Sequence, residues 1–522
     1  MANMQTEVLV IGGGATGAGV AWDVATRGFE TVLVERKDLA EGTTGRFHGL
    51  LHSGGRYAVK DRLAAEECIQ ENLVLRRVAA DTIEDTGGYF VTTPWDDPAF
   101  GDKFMQGCRD CGIPVEEIPV ATALAEEPRL NPDIERVFAV PDAAIDAWRL
   151  VWACARAARE HGGSVLTYHR VLDIIREGDA VRGARVHNEL SGEEFEIRAD
   201  FTINATGAWA GKVADMAGCP GVEVLSGKGI MIAMNHRLVN TVVNRCTMPA
   251  DGDILVPIRT VSVIGTTDIR IKNPDEPDVT RAEVSQMLDD GEKLVPGFRR
   301  ARALRVWAGV RPLFKDARAP EISDTRDVSR SHALLDHREP DGVTGFLTIT
   351  GGKLTTFRMM AQETVDRMCE QLATKRECRT ALDPLPSSGD GKFLWLGERL
   401  TKREQSLHDD QLICECELIQ RRRLEEVMAQ RSSTILDDIR RSVRLGMGPC
   451  QGGFCMYRAT GILHDVEQID SSAANDSLRD FLQERWKGVQ PILYGDQLRQ
   501  ARLDDWIFQG VLDVEHLPSG AL

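Results

Sequence analysis

The strongest constraint on this chain sits at its start. Val8-Leu9-Val10-Ile11 is an apolar run of the kind carried by a parallel strand buried on both faces. It runs into Gly12-Gly13-Gly14-Ala15-Thr16-Gly17, where Gly12, Gly14 and Gly17 fall on the G-x-G-x-x-G spacing. In that spacing the first glycine allows a tight turn. The second lets backbone approach a pyrophosphate, and the third lets the following helix close on the strand. The helix N-terminus then offers unpaired N–H groups and the positive end of its dipole to phosphate. A second apolar run, Thr31-Val32-Leu33-Val34, ends in Glu35, 18 positions beyond Gly17. A carboxylate about 20 residues on accepts hydrogen bonds from a ribose. Glycines alone are a weak signal, because any tight βα turn uses them. Strand, glycines, helix, strand and acid in this order predict a βαβ unit that binds a dinucleotide.

The chain behind this unit has 522 residues, enough for two or three domains. Its formal charge of −17 argues against nucleic acid, which needs a basic face, and against direct binding to an anionic membrane surface. The basic residues are 13 lysines and 50 arginines. An acidic, lysine-poor surface suits a salt-rich cytoplasm, where ions screen self-repulsion, and it equally suits plain solubility. Met1 to Glu7 is short and polar, so no secretion signal is expected, and no run of 18 apolar residues is long enough to span a bilayer. Twelve cysteines in such a chain point to reduced thiols or metal ligands rather than a disulfide framework.

After the βαβ unit comes the glycine-rich loop Glu41 to Tyr57, with Thr43, Thr44, Gly45, His48, His52 and Arg56. Small residues there let backbone approach a flat ring system, and the threonine hydroxyls can reach phosphate. Asp61 to Ala80 reads as an amphipathic helix, and Asp96 to Pro141 as short strands, turns and helix of a second domain. Cys108-x-x-Cys111 stands alone there and reads as two thiols on a helix face. Asp146 to His161 is a predicted helix and Val165 to Val171 a strand. Phe201 to Asn204 is a buried strand leading into the small-residue turn Ala205-Thr206-Gly207. Residues 226–325 are strand-rich and read as an antiparallel sheet. Gly345 to Thr350 is another buried strand, followed by Gly351-Gly352-Lys353-Leu354-Thr355 and a helix. The strand–glycine–helix logic thus returns late in the chain, so the dinucleotide domain is expected to be discontinuous.

Beyond a Pro- and Ser-containing stretch lie Cys414-Glu415-Cys416 and, 33 intervening residues later, Cys450, then Cys455. Four soft thiolates from two loops suit zinc or an iron–sulfur cluster. Cys-x-Cys is tight for a zinc pair and no histidine completes a set. Glycines around Cys450 and Cys455 leave backbone N–H groups for cluster sulfurs, which favours [2Fe–2S].

The turn motif, HGLLHSGGRY at 48–57, GVRPL at 309–313 and GGKLTTFR at 351–358 together resemble the FAD-dependent glycerol-3-phosphate dehydrogenases. CEC and GPCQGGFC are similar to the bacterioferritin-associated-ferredoxin-like [2Fe–2S] module. With ERWKGVQP at 484–491, the combination resembles the large (A) subunits of anaerobic glycerol-3-phosphate dehydrogenases. The resemblance implies oxidation of sn-glycerol 3-phosphate to dihydroxyacetone phosphate, with FAD as hydride acceptor. It implies that electrons pass to a quinone through a second, catalytic-type subunit, together with a membrane-anchoring Fe–S subunit. The implied location is cytoplasmic, on the inner face of the membrane through those partners. One departure is visible: Lys228-Gly229 is followed by Ile230-Met231, where some relatives carry Ser-His.

The expected fold is α/β. A discontinuous Rossmann-like FAD-binding domain (1–95, 146–225, 326–385) carries an inserted antiparallel-sheet substrate domain (96–145, 226–325). A linker (386–411), a small helical [2Fe–2S] domain (412–465) and a C-terminal extension (466–522) follow. Expected cofactor contacts are Gly12, Gly14, Ala15, Thr16, Gly17, Glu35, Arg36, Thr43, Thr44, Gly45, His48, Val171, Ala205, Gly207, Gly351, Gly352, Leu354 and Thr355. The resemblance places the substrate phosphate on Arg56, with Tyr57 beside it and Lys353 and Arg311 as the other cations. Oxidising a secondary alcohol also needs a base near neutrality, and histidine supplies one. Of His48 and His52, the latter lies nearer Arg56 and is the expected base; Arg311 is placed to stabilise the developing alkoxide. The cluster ligands are Cys414, Cys416, Cys450 and Cys455. Two other classes stand beside this reading. They are an FAD oxidase of a small hydroxy or amino acid, which needs no cysteine module, and a non-catalytic scaffold, which needs no cationic pocket.

Overall fold

The structure is a computed structural model, which describes residues 4–315, 331–406, 410–431, 433–466 and 469–519. The Met4–Ile11 strand is the axis of an eight-stranded sheet. It pairs in parallel with Thr31–Glu35 on one side and Glu194–Asn204 on the other. Ser164–Thr167 and Phe346–Gly351 extend the parallel part outward. Val8, Leu9, Val10 and Ile11 are at most 4% exposed, because helices and strands cover both faces; this is why the run is continuously apolar. On one face the helices Ala15–Thr26, Ala147–Glu160 and Phe357–Gln371 share a core with Trp22, Leu150 and Phe357. Gly19 brings the first and last of them together: a Cβ there would sit 2.9 Å from the Phe357 ring.

A nine-stranded second sheet is organised by the long antiparallel ladder of Glu223–Met234 with Ala303–Lys315. It differs from the sequence reading in two respects. Gly88–Thr92 was expected on the flavin side, yet it pairs with Val242–Arg245 and Arg136–Val140 inside this second sheet. Its pairing with Val242–Arg245 is parallel, so the sheet is mixed. The expected boundary at residues 325 and 326 lies outside the described residues.

The stretch expected as a linker contains a helix, Leu396–Ser406. It is pinned at both ends: Arg149 stacks on Phe393 at 3.7 Å and Arg399 donates to the Glu417 carbonyl near its start, and Gln420 donates to the Ser406 hydroxyl at 2.7 Å at its end. The C-terminal body opens with the two short strands Leu412–Cys414 and Ile419–Gln420. Helices Arg421–Met428, Leu436–Val443 and Met456–Val466 follow. Their core of Leu424, Ile439, Met456 and Leu463 also takes in Phe481, Phe508 and Val514 from the last segment. The C-terminal extension is therefore part of the same body. Ion pairs tie this body to the flavin-side sheet: Arg431 reaches Asp38 at 3.0 Å and Arg441 reaches Glu41 at 3.2 Å. Tyr168 donates to Asp438 at 2.5 Å. Among the described residues, no helix is long and apolar enough to cross a membrane.

Candidate active site

The glycine turn opens onto a cleft of about 1410 Å³ between the two sheets. Gly12 has φ +109°, and a Cβ there would meet the Ala205 carbonyl oxygen at 2.6 Å. At Gly17 a Cβ would lie 1.8 Å from the Gly12 carbonyl oxygen. Both glycines are thus demanded by the protein's own packing. Gly14 is different, since a Cβ there would meet only the Thr44 hydroxyl, at 3.2 Å. Nothing in the fold requires a glycine at 14. The space it leaves opens on the cleft, at the N-cap of the Ala15–Thr26 helix, where Gly14 itself offers no capping side chain and the Thr44 hydroxyl accepts from the Ala15 N–H at 3.0 Å. This cradle, which a Cβ would fill, fits a pyrophosphate.

Glu35 lines the cleft and accepts from the Gly13 N–H at 2.7 Å and the Lys37 N–H at 3.1 Å. Burial raises its carboxyl pKa against those two hydrogen bonds. A carboxylate has about four lone-pair sites, so two backbone bonds leave acceptor capacity toward the cleft. Of the other expected cofactor contacts, Ala15, Thr16, Arg36, Thr43, Thr44, His48, Val171, Ala205, Gly207, Gly351, Gly352, Leu354 and Thr355 line the same cleft. Gly17 stands behind it in the role its spacing implied. Gly45 does not line it and is packed inward, where a Cβ would strike the Ala40 carbonyl at 2.3 Å and Trp148 at 2.5 Å. Thr43 gives its hydroxyl proton to the Val310 carbonyl at 2.5 Å, leaving its lone pairs. Arg36 stacks on Trp209 at 4.3 Å and pairs with Asp275 at 2.9 Å.

The three expected cations line the same cleft, each backed by a carboxylate. Arg56 pairs with the fully buried Asp253 at 2.5 Å and donates to the Ala250 carbonyl at 3.3 Å. Arg311 pairs with Asp268 at 3.1 Å and donates to the Thr267 carbonyl at 3.0 Å. Lys353 lies 3.5 Å from Glu67 and 5.5 Å from the Tyr57 ring centre. Gly229 makes room for Arg311, because a Cβ there would sit 2.7 Å from its guanidinium. Next along that strand, Met231 gives the cleft an apolar wall, while Lys228 is buried against Glu283 at 2.9 Å, away from it.

His48 and His52 also line the cleft, with ring centres 6.3 Å apart, and Tyr57 is 5.4 Å from His52. The His48 Nδ1 accepts from the Leu50 N–H at 3.2 Å. Burial pushes the His48 pKa down to about 3, with Arg56 and Arg311 adding to the effect. For His52, burial comes first again, and His48, Arg56 and Lys353 push in the same direction, well below the ordinary histidine value. Both rings are therefore neutral across the physiological range.

The four expected cluster cysteines also come together. Cys450 Sγ contacts those of Cys416 and Cys455, and Cys455 contacts Cys414. Backbone N–H groups of Glu417 and Gly446 point at Cys414, and those of Gly452 and Phe454 at Cys450. Glu417, fully buried, binds Arg259 at 3.2 Å and holds this loop against the second sheet. Cys108 and Cys111, by contrast, sit in an apolar cluster with Phe90, Phe104 and Phe138, as plain thiols.

Comparison with known proteins places this geometry in context. Residues 7–367 match the DAO family, FAD dependent oxidoreductase. A solved glycerol-3-phosphate dehydrogenase from Bacillus halodurans, complexed with FAD, has the same fold. Its TM-score is 0.68 at 20% identity, over 94% of this chain and 96% of that one. The A subunit of the anaerobic glycerol-3-phosphate dehydrogenase of Escherichia coli K12 is 42% identical over 100% of this chain and 99% of its own length. This chain belongs to the A-subunit family of the anaerobic glycerol-3-phosphate dehydrogenases. The corresponding A1 subunit from Haloferax volcanii is equally similar, at 42% over 98% of this chain and 92% of its own. Similarity to the A-subunit family thus runs through the cysteine-bearing body, whereas the FAD oxidoreductase match stops at residue 367.

Sequence reasoning missed Asp253, Asp268 and Glu67, the carboxylates behind the cations. No local pattern marks them. Asp253 meets Arg56 only because the second sheet folds back onto the flavin loop, 197 residues apart in the chain.

Proposed function

We propose that this chain oxidises sn-glycerol 3-phosphate to dihydroxyacetone phosphate, with FAD as the hydride acceptor and a quinone, reached through partner subunits, as the final one. The observation that carries this reading is the convergence of three cations and two neutral histidines on the cleft that the glycine turn opens. Gly12, Gly14, Ala15 and the helix behind them would hold the pyrophosphate, and Glu35 the ribose. The Thr43–His48 and Gly351–Thr355 segments line the rest of the cleft. Arg56, held by Asp253 and the Ala250 carbonyl, is the cation to bind the phosphate dianion. Lys353 adds a point charge. His52, neutral and facing the same space, takes the hydroxyl proton of the substrate. Arg311 stabilises negative charge on the substrate oxygen as that proton leaves. The cationic pocket favours a phosphorylated alcohol over the hydroxy or amino acids of an oxidase. Anaerobic addition of glycerol 3-phosphate tests the assignment: the flavin absorption should bleach, and an unbleached flavin would refute it.

Two results should follow at this site. Arg56→Ala is expected to lower kcat/KM for glycerol 3-phosphate by about 10–150-fold, the worth of one charged hydrogen bond at about 1.5–3 kcal/mol. Oxidation of uncharged glycerol should change by less than about threefold. Because Arg56→Ala strands the buried Asp253, Arg56→Lys serves as the companion variant: it keeps a cation there and loses the fork. Equal loss for both substrates would give Arg56 a structural role. The second result concerns pH. A histidine whose pKa lies below the working range is unprotonated throughout it, so raising the pH creates no further base. Flavin reduction at low substrate should therefore show no histidine inflection between pH 6 and 8, beyond the substrate phosphate's own ionisation near about 6. An inflection that His52→Gln abolishes would contradict this.

The cysteine site supports a [2Fe–2S] cluster over zinc. A zinc ion at about 2.3 Å from four sulfurs would set every pair about 3.8 Å apart. Here contacts run in series, Cys416 to Cys450 to Cys455 to Cys414, and no three of these sulfurs lie mutually within 4.8 Å. Four thiolates with N–H groups aimed at the sulfurs suit a two-iron rhomb. Cys450→Ser should cut bound iron and acid-labile sulfide from about two each per chain to well under one, while substrate still bleaches the flavin. Zinc in the wild-type protein would end the cluster assignment. Partner subunits and attachment to the inner face of the membrane complete the proposal. They are supported by the subunit designation of the relatives and by the cysteine site itself.

A further inference from the structure

The helix Arg62–Val78 buries one face, and its apolar stripe reads Ala65, Cys68, Ile69 and Leu75. Asn72 lies on that same stripe and is fully buried. An amide in such a place is costly unless its polar atoms are bonded. The Asn72 Oδ1 accepts from Arg76 Nε at 2.8 Å. Its Nδ2 has two N–H groups and two acceptors, the His52 carbonyl at 3.0 Å and the Pro141 carbonyl at 3.2 Å. These partners also settle which end of the amide is which, since a guanidinium only donates and a carbonyl only accepts.

The other backbone groups around His52 are held as firmly. The Ser53 N–H, which belongs to the same peptide as the His52 carbonyl, donates to the buried Asp142 at 2.7 Å. The His52 N–H donates to the Thr355 hydroxyl at 3.2 Å. Three hydrogen bonds thus act on the two peptide planes that flank the His52 Cα. Each plane is rigid, so fixing both leaves little freedom in φ and ψ and sets the direction of the Cα–Cβ bond. Arg76 braces the frame from behind, donating to the Pro141 carbonyl at 3.0 Å and the Asp142 carbonyl at 3.3 Å. The loop cannot supply this stiffness itself, because Gly49, Gly54 and Gly55 surround His52. Asn72 and Asp142 do not line the cleft, so they act on a substrate only through the residues they hold.

We propose that Asn72 is a positioning residue for proton removal. Through the peptide between His52 and Ser53, which Asp142 braces from its other end, it aims the His52 imidazole at the substrate hydroxyl. This rests on His52 being the base. A general base works within about 2.6–3.2 Å of the group it deprotonates, and a misplacement of about 1 Å costs on the order of 100-fold. The free energy of a buried amide on an otherwise apolar stripe is thereby spent on aim.

The test uses the full-length, FAD-loaded protein and anaerobic stopped-flow reduction by glycerol 3-phosphate. Asn72→Leu keeps the approximate size and lacks the amide. It should slow flavin reduction at saturating substrate by about 10–100-fold. Half-saturation should stay within about twofold of the wild type, because Arg56 and Lys353 keep their carboxylates. Asn72→Asp carries the test should the leucine variant fail to fold. It keeps the shape and the Arg76 bond, removes only the N–H donors, and should fall in the same range. The double variant decides between aim and general support. Added to His52→Gln, Asn72→Leu should cost less than about threefold, because no base is left to aim. Wild-type rates in both Asn72 variants, or the full loss repeated on His52→Gln, overturn the proposal and leave the base in place. A wild-type rate in His52→Gln alone is a different failure: it removes the base, and the positioning role with it.

Discussion

His52→Gln is expected to slow flavin reduction by glycerol 3-phosphate by about 10²–10⁴-fold, the usual worth of a positioned general base. The ring is neutral because it is buried, and the cations Arg56 and Lys353 further oppose its protonation. Those same neighbours face the phosphate. When a dianion arrives, their field is partly cancelled and the imidazole becomes a stronger base at the moment a proton must be taken. Glutamine keeps the approximate size and cannot accept a proton at neutral pH. The variant should therefore hold FAD with an unchanged spectrum and bind substrate, yet bleach slowly under anaerobic stopped-flow mixing. His48→Gln should cost less, because the His48 Nδ1 already serves the Leu50 N–H. A larger loss in His48→Gln than in His52→Gln would transfer the base to His48.

The second large effect is expected at Gly14, where Gly14→Val should yield folded, colourless protein. Three glycines in one turn differ in what they answer to. A Cβ at Gly12 or Gly17 collides with backbone carbonyls, so substitution there disturbs the turn whatever is bound. At Gly14 the neighbour is a hydroxyl at 3.2 Å, and the valine methyls would occupy the space left for pyrophosphate. Purified Gly14→Val should show a native far-ultraviolet circular dichroism spectrum and less than about a tenth of wild-type flavin per chain. Stoichiometric FAD in that variant would remove the pyrophosphate from this turn.

These contrasts show which features were legible in the sequence. The first strand, its glycines and Glu35 could be read directly because they act over a few residues, where the chain itself sets the geometry. The cysteines could be read for the same reason, as two short loops of fixed spacing. Gly88–Thr92 could not be placed, since an apolar strand states that it is buried and not which sheet buries it. Gly45 belonged to the right loop but turned inward, a matter of one backbone rotation that composition does not encode. Phe393 and Arg399 hide in a polar, Pro-containing stretch, and only their contacts with Arg149 and Glu417 make that stretch a strap rather than a tether. The carboxylates behind Arg56, Arg311 and Lys353 were invisible for a related reason: each comes from a segment joined to its cation only by tertiary folding.

The discontinuity of the flavin-side sheet bears on how the protein is made. Residues lining the cleft run from Ile11 to Phe357, so the nucleotide seat is spread over about two-thirds of the chain. At about 5–20 residues per second, a ribosome needs roughly 18–70 seconds to extend from one end of that seat to the other. Within that interval the glycine turn emerges first, the Glu194–Asn204 strand that flanks it follows about midway, and the Phe346–Gly351 strand beyond that one comes last. Until Glu194–Asn204 is made, the apolar strand Val8–Ile11 has one edge covered by Thr31–Val34 and the other open, and an open edge invites pairing with other chains. Flavin loading is accordingly a late event, and the early product of translation is the form that chaperones must shield.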